Sequence, residues 1–180
     1  NYDFLGNALR YYLTSETNDQ PDQGYENTII GAGISTTFEQ YNDVYTTLGI
    51  NAAHDDLQTE DSASASLKKQ SGTFDEISGT YGFTFDKRNR SFMPTDGSII
   101  SFNQSLPIYA DKSFISNTLS ASTYRTITED VIGATKIYFS AINGLGSDDV
   151  RLSKRKVLSG SRLRGFEKGK VGPLDGTDHI

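Results

Sequence analysis

The sequence has no cysteine and no tryptophan, and only one methionine and four prolines among 180 residues. Without cysteine it can form neither a disulfide nor a thiolate metal site, a composition compatible with export. It has only two histidines, His54 and His179, far apart in the chain, so a histidine-ligated metal centre is not expected. No run approaches the ~18 apolar residues that a membrane-crossing helix needs. Hydrophobic residues make up 35% and mean hydropathy is -0.49, which excludes a bundle of membrane helices. A membrane barrel stays open, because only every second residue of its strands faces lipid. There is no signal peptide, and the chain opens on Asn1-Tyr2-Asp3-Phe4 with no initiator methionine. An internal piece of a longer protein is the expected explanation. A net charge of -6 argues against nucleic acid as a partner.

What is present is alternation. From Asn27 to Phe38 one face reads Thr28, Ile30, Ala32, Ile34, Thr36, Phe38, and the other Asn27, Ile29, Gly31, Gly33, Ser35, Thr37. Val44, Thr46, Leu48, Ile50 and Ala52 oppose Tyr45, Thr47, Gly49 and Asn51 in the same way. The pattern recurs around Leu9–Leu13, Ile77–Phe85, Ile100–Leu106, Leu119–Thr123 and Ile137–Ala141. Period-2 patterning predicts seven antiparallel strands. Most run ~10–13 residues, long enough at a ~40° tilt to cross an apolar band ~25 Å tall. The second face is rich in Ser, Thr, Asn and Gly. That suits a wet lumen and not the core of a soluble sandwich, which needs large apolar residues there.

Connections are expected to alternate. Glu39–Asp43, Asn89–Asp96 and Thr128–Asp130 read as short turns. Asn18–Gly24, Asp55–Glu76 and Gly144–Ile180 read as long polar loops, with a short helix within Ser62–Gln70 and Leu106–Lys112 intermediate. Phe38, Tyr41, Tyr45, Phe92, Tyr109 and Phe114 near strand ends fit an aromatic girdle or ordinary β-propensity equally. Ser66-Leu67-Lys68-Lys69 matches S-x-x-K, but its companion motifs are missing and the segment reads as an exposed loop. Asp55-Asp56 and Asp148-Asp149 lack the spacing of a calcium loop and read as solvated charges. The basic run Arg151-Leu152-Ser153-Lys154-Arg155-Lys156 could meet anionic lipopolysaccharide or line a lumen; a solubilising charge run is the favoured reading. No nucleophile, base or metal set converges, so no enzyme, cofactor or metal is expected.

Two segments are more specific. Tyr81 to Ser98 ends a strand in Asp86-Lys87-Arg88, turns through Pro94-Thr95-Asp96-Gly97 and starts the next strand. Pro94 fixes φ and Gly97 permits a positive one. The second segment is Leu163-Arg164-Gly165-Phe166, followed by Gly172-Pro173. Together they resemble the BamA family of outer-membrane assembly proteins, with its aspartate strand end, Pro-Thr-x-Gly turn and Val-Arg-Gly-Phe type loop peptide. Leu163 departs mildly from that family's Val or Ile. The resemblance implies an all-β, antiparallel transmembrane β-barrel, partial here, with strands like the fifth to eleventh of sixteen over 1–143. Residues 144–180 would form most of the sixth extracellular loop, folded into the lumen.

In that register the turn carrying Asp86, Arg88, Pro94, Thr95 and Gly97 is periplasmic. The resemblance implies that Arg164 would grip the inner wall, Gly165 would allow close approach and Phe166 would pack as an anchor. The resemblance also implies location in the bacterial outer membrane and insertion of other barrel proteins there. Implied partners are the lipid bilayer, unfolded outer-membrane protein clients and accessory lipoproteins of an assembly complex. A TamA-like or two-partner-secretion transporter and a passive porin-like channel are the alternatives, and a soluble β-sandwich is a third class.

Overall fold

The structure, a computed structural model, describes residues 3–4, 7–20, 24–61, 63, 65–155, 165, 174–175 and 178–179. Seven long strands follow one another: β2 (Asn7–Gln20), β3 (Tyr25–Tyr41), β4 (Val44–Thr59), β5 (Gly72–Asp86), β6 (Gly97–Ala110), β7 (Phe114–Thr128) and β8 (Val131–Gly144). The two-residue β1 (Asp3–Phe4) pairs with β2, and the sheet order is sequential from β1 to β8. Every pairing is antiparallel. A single turn of helix, α1 (Ala65–Lys68), lies between β4 and β5, inside the stretch expected to be helical. A short ladder pairs β9 (Leu174–Asp175) with β10 (Asp178–His179).

Register explains the alternation. One row across the sheet reads Thr46, Phe83, Phe102, Leu119, Phe139, and the next Val44, Phe85, Ile100, Ala121, Ile137. On the opposite face a row reads Thr47, Gly82, Asn103, Thr118, Ser140. Cross-strand partners share a face, so the apolar rows form one continuous surface and the polar rows the other. The apolar surface is uncovered. Phe83 is 43% exposed, Phe139 58% and Ile137 62%, whereas a soluble sandwich would bury them. No helix among the described residues is long and apolar enough to cross a membrane.

The strands are 14 to 17 residues long, longer than expected. A tilted strand of that length rises about 35 Å, beyond the ~25 Å apolar band. The surplus is mostly polar, with Tyr25 and Leu57 among it. Asn18, Asp19 and Gln20 pair with Asn27, Glu26 and Tyr25, and the ladder continues through Asp55, Asp56 and Leu57 of β4. Backbone pairing carries on past the apolar stretch, so segments expected to be loops are sheet. The alternation of short and long connections is weaker for that reason. Asn42-Asp43 and Glu129-Asp130 are tight turns, but 87–96 is a longer connection, and 111–113 at the opposite end is short. Two aromatics expected in a girdle, Tyr45 and Phe114, share the polar face with Thr84 and Ser116. Girdle geometry does not describe them.

Candidate functional site

At the turn end, β5 runs into a structured connection. The Asp86 carboxylate accepts both Nε and Nη2 of Arg88, at 2.8 and 2.6 Å, and also the Arg88 backbone N–H. Asn89 Oδ1 accepts the N–H groups of Thr95 and Asp96, while its Nδ2 donates to Thr95 Oγ1. Gly97 has φ +94, and a Cβ there would meet the Lys87 carbonyl oxygen at 2.1 Å. Lys87 N–H in turn donates to Ser98 O at 2.8 Å, closing the base of the turn. Asp86 with Arg88 forms one hydrogen-bonded pair and Asn89 with Thr95 and Asp96 another, in a turn that Gly97 closes; Pro94 follows Met93, whose φ is +49.

At the other end of the sheet, on the polar face, lies a cluster that sequence reasoning missed. Leu152 packs with Tyr25 of β3, Leu57 of β4, and Ala63 and Leu67 of the α1 connection, with Phe74 against them. Arg151 is 3% exposed. It meets Glu76 Oε2 of β5 at 2.5 Å and Asp55 Oδ2 of β4 at 3.5 Å, and its guanidinium stands 4.8 Å from the Phe74 ring centroid. Asp55 is 1% exposed; it also accepts Asn27 Nδ2 at 3.1 Å and Ser153 Oγ at 2.5 Å. Lys154 Nζ adds a second cation to Glu76 at 3.1 Å. Two cations face two carboxylates, which is how buried charges are tolerated.

The favoured expectations of a solubilising run at 151–156 and a solvated Asp55 are thus corrected for Arg151, Lys154 and Asp55. Charge alone hid the partners, which lie 75 and 98 residues away. Two signals were present. Leu152 interrupts the basic run, and Asp55 falls in phase with Asn51 on the polar face.

Between β8 and this cluster, Asp148 accepts the Ser113 N–H at 3.0 Å and Lys112 Nζ at 3.3 Å. These donors hold its carboxyl below the usual carboxylate range. His54, on the apolar face, pairs with Asp75 at 2.6 Å, and no group of metal-binding residues exists among those described. Leu163, Arg164 and Phe166 of the loop peptide lie outside the described residues. Gly165 has φ +88, a value that favours glycine.

A sequentially paired antiparallel sheet with one lipid-compatible face and one polar face defines a portion of a membrane β-barrel. The Omp85 superfamily domain matches residues 3–180, and the chain belongs to that superfamily. It is similar to Sorting and assembly machinery component 50 homolog A of Xenopus laevis, 26% identical over 121 residues. That alignment covers 66% of this chain and 26% of the relative. The homologs of Mus musculus and Homo sapiens match to the same extent. The chain thus spans about a quarter of the length of these relatives. The fold matches BamA from Haemophilus ducreyi lacking POTRA domains 1-3 with a TM-score of 0.78 at 21% identity. That match covers 93% of this chain and 36% of that one.

Proposed function

We propose that this chain is part of a barrel that inserts and folds other β-barrel proteins into the bacterial outer membrane. The observation that carries the reading is the return of residues 150–155 onto the polar face, where Arg151 meets Asp55 and Glu76. A loop fastened to the polar face narrows the water path that a passive channel offers. Superfamily membership supports the reading, as do relatives named for sorting and assembly. The role is not enzymatic. An incoming strand is templated by unpaired backbone groups at a sheet edge, as in strand addition generally. Lipid and unfolded barrel clients are the partners this mechanism requires, and accessory lipoproteins are those the family resemblance adds. The turn built on Asp86, Arg88 and Gly97 faces the periplasm in this scheme, and Arg164 grips the wall from the loop side.

The test uses the full-length protein containing this chain, reconstituted in liposomes with an unfolded barrel client. Accelerated appearance of folded, protease-resistant client supports the proposal. Ion conductance without client folding would mark a channel instead. Export of a soluble partner protein would mark a transporter, and either result overturns the reading.

A further inference from the structure

The loop that leaves β8 is tied down twice before residue 156. The first tie joins Leu145 N–H to Ser113 O, with Asp148 on Ser113 and Lys112. The second is the buried cluster. We propose that Arg151 is a latch that fastens the loop root to the polar face of β4 and β5, independently of Arg164. This inference stands whatever task the barrel performs.

Four observations carry it. The Arg151 side chain is almost wholly buried, and its ion pairs reach two different strands, so one residue bridges β4, β5 and the loop. Leu152, next in sequence, fills an apolar site made by β3, β4 and the α1 connection, so charge and packing act at the same point. Ser153 and Lys154 add contacts to the same two carboxylates, making the short helical turn Leu152–Lys154 a fitted piece. The fit is also unsaturated. Arg151 Nε has no hydrogen-bond acceptor among the described residues, and Nη1 reaches Asp55 Oδ2 only at 3.5 Å. A buried donor so weakly met opposes closure, which suits a catch that can open.

A covalent consequence follows. With the root fastened through Arg155, the chain reaches Leu163 over eight peptide units, at most about 28 Å. Released back to the Asp148 tie, it would span fifteen, about 53 Å. The latch therefore confines where Leu163-Arg164-Gly165-Phe166 can be delivered.

Hydrogen exchange on the full-length protein in lipid vesicles tests the latch. In the parent protein, amides in 150–155 and in the α1 connection are expected to be protected. Arg151→Met should speed their exchange on the order of a hundredfold, with β6 and β7 unchanged as evidence of a folded barrel. Arg151→Lys keeps the charge but loses the fork, and should fall between. It carries the test, with Leu152→Ala, if Arg151→Met does not fold. Arg164→Ala should leave 150–155 protected, and so should raising the salt concentration, since buried pairs are screened little. Equal exchange in parent and Arg151 variants, loss of protection in Arg164→Ala, or release by salt would each overturn the proposal.

Discussion

Replacing Gly97 with alanine should destabilise the barrel by about 3 kcal/mol, and the structure supplies the reasons. Gly97 sits at φ +94, where an L side chain costs about 1–2 kcal/mol. Its new Cβ would lie 2.1 Å from the Lys87 carbonyl oxygen and 2.8 Å from Arg88 Cα. An ordinary carbon–oxygen contact is about 3.3 Å, so the two strand ends must part by about 1 Å. Both neighbours are backbone and cannot swing aside. The separation breaks the Lys87–Ser98 hydrogen bond and pulls Arg88 from Asp86, a further loss of about 1–2 kcal/mol. Gly146 is the control. It too has a positive φ, +65, but a Cβ there meets nothing within 4 Å, so Gly146→Ala should cost only about 1 kcal/mol. Urea unfolding of the full-length barrel in vesicles, followed by far-ultraviolet circular dichroism, compares the two. Values for Gly97→Ala and Gly146→Ala within about 0.5 kcal/mol of each other would refute the reasoning.

Three further outcomes are expected. Leu57→Ala, removing a side chain 1% exposed in the loop-end cluster, should cost about 3 kcal/mol in the same unfolding experiment. Phe139→Lys, on the apolar face, should cost about 2–4 kcal/mol if it lies near mid-membrane, while Ser140→Lys on the polar face should cost far less; unfolding in vesicles reports both. The Asp148 tie should open in acid. Its folded carboxyl titrates below the ordinary value, so its contribution is present above about pH 4 and is lost as pH falls through the folded value. The protection of the Ser113 amide, its exchange relative to the free-amide rate at each pH, should fall between pH 7 and 3, and Asp148→Asn should abolish that fall.

The sheet was legible because alternation is local. Thr46, Leu48 and Ile50 declare their face without reference to any partner, and register then aligns Phe83, Phe102 and Phe139 into one surface. Strand ends were less legible. Asn18 to Gln20 and Asp55 to Thr59 carry loop-like composition, yet they pair because a neighbouring strand is there to meet them. The turn at 87–96 was readable as a turn from Pro94 and Gly97, although its Asn89 cap was not singled out. The loop-end cluster was hidden for a physical reason. Arg151 among Lys154 and Arg155 looks solvated until the chain brings Glu76 and Asp55 to this cluster from 75 and 98 residues away. Leu163, Arg164 and Phe166 rest on their sequence alone.

The central claim is that one face of this sheet meets lipid and the other a wet lumen. Adjacent residues of β6 test it most directly; this chain is cysteine-free, and any cysteines elsewhere in the full-length protein are replaced first. Single cysteines at Phe102 and at Asn103 in the full-length protein, each labelled with an environment-sensitive fluorophore, would be exposed to bilayer-embedded and to water-soluble quenchers. The account predicts that the label at Phe102 is quenched from the bilayer and the label at Asn103 from water. Equal quenching at the two positions, or the reverse pattern, would contradict it.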